Sequence, residues 1–160
     1  MDLKCLKENV NIIINSDILK SLNKRIYLCS CFAIDDNWQY DFYDKKTKRI
    51  TSFRVDDEVR LLDQDSKVFQ KESVDLEKLN LNDIKVDLNE ALLKVDLIKK
   101  EKAGGESINK KIIILQKIKV PLWNISFVTS GFNILNVKIN AINGNIISEK
   151  FESLFGFRVK

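Results

Sequence analysis

At 160 residues and 18.6 kDa the chain suits one large domain or two small ones. Its 44% hydrophobic and 31% charged residues exclude disorder, collagen-like repeats and a disulfide scaffold. Because histidine is absent, so are the imidazole base, the Ser-His and Cys-His nucleophile pairs and every His-containing metal site.

The opening Met1-Asp2-Leu3-Lys4 has no basic segment followed by an apolar run, so no secretory signal is read there. Apolar spacing predicts a helix over 2–14, continuing into or restarting as a second one over 16–23. Strands are expected over 25–34, 37–43 and 49–59, with a short one around 67–70. Cys5, Cys29 and Cys31 are an odd set without CxxC spacing. Cys29 and Cys31 share a strand face, as buried small apolar residues or, alternatively, as a redox or ligand pair. Free thiols and the absent signal place the protein in the cytoplasm, or outside it if the N-terminus was trimmed. No stretch approaches the ~20 apolar residues of a membrane span.

The longest basic cluster, Lys45, Lys46, Lys48 and Arg49, is flanked by Asp41 and Asp44 and reads as a solvated turn. With a net charge of only +4 and both signs interspersed, no specific nucleic-acid partner is expected. Carboxylates gather at Asp35, Asp36, Asp41 and Asp44, and again at Asp56, Asp57, Glu58, Asp63 and Asp65. A calcium loop starting at Asp63 would put Val74 at its bidentate-acid position, so these too read as turns, and no metal or cofactor is expected.

After a connector with Leu76, Leu79, Leu81 and Ile84, expected to pack rather than swing freely, Asp87-Leu-Asn-Glu90 forms a capping box. Leu88, Ala91, Leu92, Val95 and Ile98 follow at helical spacing, and Gly104-Gly105 stops the helix near Ala103. Strands are expected over 111–118, 122–129 and 133–140, with Pro121 separating the first two. Asn143-Gly144 turns into a short strand over 145–148, and an apolar tail over 151–160 either docks on a sheet or meets a partner.

The two tryptophans expose an internal pattern. Trp38-Gln-Tyr-Asp-Phe42 and Trp123-Asn-Ile-Ser-Phe127 lie 85 apart, since 123 minus 38 and 127 minus 42 agree. The same offset pairs Asp2 with Asp87, Leu3 with Leu88, Val10 with Val95 and Ile13 with Ile98. Beyond the tryptophans, a turn one residue shorter brings Thr51, Phe53 and Val55 opposite Leu135, Val137 and Ile139. We read two copies of a helix followed by an antiparallel meander, over 1–72 and 87–150, joined by a connector over 73–86.

The helix from Leu88, the strand Ile112 to Leu115, the Trp123 segment and Val137-Lys-Ile-Asn-Ala141-Ile-Asn-Gly144-Asn-Ile-Ile147 together resemble a PepSY domain. In the last segment Asn140 stands where that family often has Asp. The resemblance covers roughly 87–148, and the first copy would be a degenerate second unit. It implies an α+β fold of tandem helix-plus-antiparallel-sheet units. Functionally it implies a noncatalytic module that binds or inhibits a protein or peptide, with no catalytic residues to carry over. Two such units would set two sheets near each other and could bury one face of each between them; the sequence leaves open whether the two share one sheet.

Alternation puts Trp38 and Tyr40 with Phe42 on one strand face, and Trp123 and Phe127 with Ile125 on the matching one. Repetition at equivalent positions favours core packing. On an uncovered sheet face, Trp38, Tyr40, Trp123 and Phe127 become the contact surface. The leading expectation is a protein- or peptide-binding module. The alternative is a carrier of a small apolar ligand held between helix and curved sheet, and an enzyme, with carboxylates as its only acid-base groups, ranks last.

Overall fold

A computed structural model describes residues 1–22, 25–68 and 74–158, with 157 and 158 described by their backbone alone. Helix α1 (Leu3–Ile14) buries Leu6, Val10 and Ile13 on one stripe, and the Asp2 carboxylate accepts from the Cys5 N–H at 2.8 Å to cap it. Ser16 then caps a five-residue helix α2 (Asp17–Ser21), so the helix restarts instead of continuing. Strands β1 (Ile26–Ile34), β2 (Asn37–Asp44), β3 (Arg49–Val55) and β4 (Val59–Lys67) form a meander. After a 3-10 turn at Leu81–Asp83, helix α3 (Leu88–Ala103) ends where Gly104 takes φ 51°. A second meander follows in β5 (Ile108–Ile118), β6 (Val120–Thr129), β7 (Asn133–Asn140) and β8 (Ile146–Ser153).

All eight strands form one antiparallel sheet, in the order β4-β3-β2-β1-β5-β6-β7-β8. The mixed α and β content with an antiparallel sheet is as expected. Whether the two meanders share one sheet, which the sequence left open, is settled by β1 and β5: they pair from Ser30↔Gln116 to Ile34↔Ile112, so the meanders join edge to edge and bury no sheet face between them. Joining them at their first strands satisfies two edges that would otherwise present unpaired backbone groups.

A row of directly opposed residues runs Phe53, Tyr40, Cys31, Leu115, Trp123, Ile139 across six strands, each of them fully buried. Opposed residues share a face, so this row defines the covered one. The buried residues of α1 and α3 join it in a single core. Leu6, Val10 and Ile13 stand 85 positions before Ala91, Val95 and Ile98, all buried. Tyr40 opposes Phe53 while Ile125 opposes Val137, the register that the shorter second turn requires.

Several boundaries differ from those expected. The 49–59 segment breaks at Asp56, whose N–H bonds the Glu58 carbonyl, and returns as β4, well before the strand expected around 67–70. Of that expected strand, Phe69 and Gln70 lie outside the described residues. Pro121 sits inside β6, and the hairpin reverses at Lys119 (φ 66°) instead. Near a strand start the missing proline N–H costs little, and the Pro121 carbonyl still accepts from Ala141. β8 extends into the expected tail, with Phe151 opposite Leu135 against the core. Phe155 then rests on Phe132, ring centroids 5.3 Å apart.

The connector packs, burying Leu79, Leu81, Ile84 and Val86. The Leu79 N–H donates to the Leu28 carbonyl beside the part of β1 that β5 leaves unpaired, while Lys85 and Val86 both donate to Ala141. No described helix is long and apolar enough to cross a membrane.

Candidate functional site: the open sheet face

Alternation along each strand decides which side chains reach solvent. Trp38, Tyr40, Trp123 and Phe127 all point to the covered face. Trp38 is 7% exposed and the other three are 0%. They are core residues, the reading that their repetition favoured, and the conditional reading of them as contacts is corrected. The Trp123 indole donates to the Val86 carbonyl at 2.8 Å, and the Tyr40 hydroxyl accepts from Asn9 at 2.8 Å. Both polar tips are thereby satisfied without solvent.

The residues one position out of phase with these line the other face, which carries neither α1 nor α3. One row reads Gln39, Phe32, Ile114, Asn124, Lys138, Ser148, and the next reads Asn37, Ile34, Ile112, Ser126, Asn136, Lys150. At the β1–β5 seam the four central members, Phe32, Ile34, Ile112 and Ile114, are apolar and partly or largely exposed.

Polar clusters flank that strip. On the β1–β3 side Asp41 accepts from Ser30 at 2.9 Å, Gln39 at 2.9 Å and Ser52 at 2.6 Å, which holds all four side chains in place. On the β6–β7 side the Asn136 amide donates to Asn124 at 2.7 Å and to Ser126 at 2.8 Å. The Asn124-Ile-Ser126 sequon thus lies within a central strand, its amide oxygen already bonded.

At one corner the connector crosses this face. Asp75 accepts from the Tyr43 hydroxyl at 3.0 Å and from Lys48, while Tyr27 donates to the Leu76 carbonyl. The Lys48 hydrogen bond chiefly holds the Asp75 carboxyl below its ordinary range. Burial pushes the Cys29 thiol up to about 12 and raises Cys31 as well, so neither is a ready nucleophile. Among the described residues no three Cys, Asp or Glu side chains gather as a metal site.

A groove of about 450 Å³ opens on the helix-covered side of the first meander. Leu28, Phe42, Leu79 and Leu81 form its floor, and one face of α1 supplies Val10 and Ile14 as a wall. The connector completes it through Leu79 and Leu81.

No family model, curated protein or solved structure matches the chain.

Proposed function

We propose that the protein is a noncatalytic binding module, built from two PepSY-like units, which holds a protein or peptide partner on its open sheet face. The carrying observation is the asymmetry of the sheet: both helices pack on one face, and the other presents an apolar strip between two fixed polar clusters. An apolar centre with a polar rim is the composition of protein-binding patches. Side chains locked by mutual hydrogen bonds lose little rotamer entropy on contact, which favours binding. The common order of helix and meander in the two halves, and the offset of 85 between their buried residues, support the two-unit reading.

Affinity capture from native lysate tests this with three baits: the natural chain, Ile114→Lys on the open face and Leu93→Lys on the outer side of α3. A protein held at low and high salt by the natural chain and by Leu93→Lys, but released by Ile114→Lys, is the expected result. Capture of nothing, or equal capture by all three folded baits, overturns the open-face reading. Material held only at low salt is charge pairing.

A further inference from the structure

The groove beside α1 has a one-sided charge. Among the described residues Lys7 and Lys78 line it, and no Asp or Glu does. Neither lysine forms an ion pair or hydrogen bond among the described residues. Two unanswered ammonium groups beside an apolar floor are complementary to one kind of small molecule, with a hydrocarbon body and an anionic end.

The geometry supports that match from two directions. Lys7, Val10, Asn11 and Ile14 fall at helical spacing, so one stripe of α1 runs along the groove with its cation at one end and Ile14 at the other. Opposite, the connector sets Lys78 directly before the buried Leu79, so charge and apolar floor adjoin on that wall too. A volume of about 450 Å³ lies in the range of small-molecule sites and is too small for a macromolecular interface. Leu28, Phe42, Leu79 and Leu81 close the base of the groove and are themselves buried, so the apolar surface open to a ligand is that of Ile14, 46% exposed, with the half-buried Leu19 and Ile26, while Asn11, Asn80 and Asn82 join the lysines as its polar lining.

We infer that this groove binds a free long-chain carboxylate, its alkyl chain along Ile14, Leu19 and Ile26 above the buried Leu28–Phe42–Leu79–Leu81 base and its carboxylate between Lys7 and Lys78. The site is on the helix side, so it stands independently of any partner on the open face.

Dodecanoate titrated into the full chain below its micellar range, followed by calorimetry and amide chemical shifts, tests the assignment. One equivalent should bind, shifting amides of residues 10–14 and 78–82 while those of Phe32 and Ile114 stay in place. Lys7→Glu with Lys78→Glu should weaken binding by about tenfold or more, the loss of at least one charge-assisted contact. The same pair should improve binding of dodecyltrimethylammonium. Ile14→Trp, a change at a residue 46% exposed, should block the groove without disturbing the core. No saturable binding, equal affinity in the charge-reversed chain, or shifts confined to the open face would each overturn the inference. The shift map of the natural chain decides the matter even if a variant fails to fold.

Discussion

One oxygen of Asp87 accepts both the Leu88 N–H at 2.7 Å and the Leu3 N–H at 2.9 Å, so a single carboxylate holds the first turns of α3 and α1 together. Its formal counterpart Asp2 accepts only from within its own helix, from Cys5. An N-terminal carboxylate satisfies orphan donors and opposes the positive end of the helix dipole. Asp87 does so for two helices.

Loss of Asp87 should therefore cost more than loss of Asp2. Asp87→Ala is expected to lower stability by about 2 kcal/mol and Asp2→Ala by about 1 kcal/mol, the upper and central values for helix caps. Asp87→Asn, which keeps an acceptor but not the charge, should fall between Asp87→Ala and the natural chain. Urea unfolding of the three variants measures this, and equal losses for Asp87→Ala and Asp2→Ala would mean the shared cap adds nothing.

Much of this arrangement was legible in the sequence. Helix positions were readable because Leu6, Val10, Ile13 and their partners 85 positions on obey the helical period. The equivalence of the two hairpins was readable because the offset of 85, shortened by one past the turn, carries Tyr40 onto Ile125 and Phe53 onto Val137, which pair alike. β4 was hidden because an edge strand with register shifts has only one half-covered side, and its Asp63, Gln64 and Asp65 carry no apolar alternation. Whether the aromatic face or its opposite is covered was not legible, because period two says which residues share a face, not which face a helix covers. Phe32, Ile112 and Ile114 were equally apolar and one step out of phase with the aromatics. The seam of β1 on β5 joins residues about 80 positions apart, and no local signal reports it.

Trp38 and Trp123 occupy matching strand positions but differ in their surroundings. Trp123 is fully buried and bonds Val86, whereas Trp38 is 7% exposed and its indole N–H has no hydrogen-bond partner among the described residues. Trp123→Phe removes volume and strands a buried carbonyl, an expected loss of about 2–4 kcal/mol. Trp38→Phe should cost about 1 kcal/mol less than that. Thermal or urea melts of the pair read the difference, and matching losses would show that the Val86 bond is energetically idle.

Asp41 gives the open face its order on the β1–β3 side, through bonds from Ser30, Gln39 and Ser52. Asp41→Ala leaves those three donors to water or to one another on a part-buried surface. A loss of about 1–3 kcal/mol is expected, hydrogen bonds to a charged acceptor being the stronger kind. Side-chain amide exchange at Gln39 should quicken in the variant, while the Asn124 and Asn136 amides on the far side of the seam remain as they were. Unchanged Gln39 exchange would show that Asp41 does not hold this cluster.

The buried thiols set an alkaline limit on stability. Cys29 rises from an ordinary 9.0 to about 12, chiefly because burial penalises its thiolate, and Cys31 rises for the same reason. The folded chain therefore keeps these protons at a pH where the unfolded chain has lost them. Their contribution is complete below pH 9 and is lost as pH climbs towards 12. Each should remove about 1.4 kcal/mol per pH unit once the unfolded thiol is ionised. Tyr40, also raised by burial, adds to the loss above its ordinary 10.0. Unfolding free energies should be level in this respect up to pH 9 and then fall, with Cys29→Ala and Cys31→Ala each flattening the decline. At pH 8 a thiol reagent should find Cys5, which is only half-buried, quickly, and should reach Cys29 and Cys31 only in denaturant. Rapid labelling of all three cysteines in the folded chain would sink both the alkaline limit and the burial that causes it.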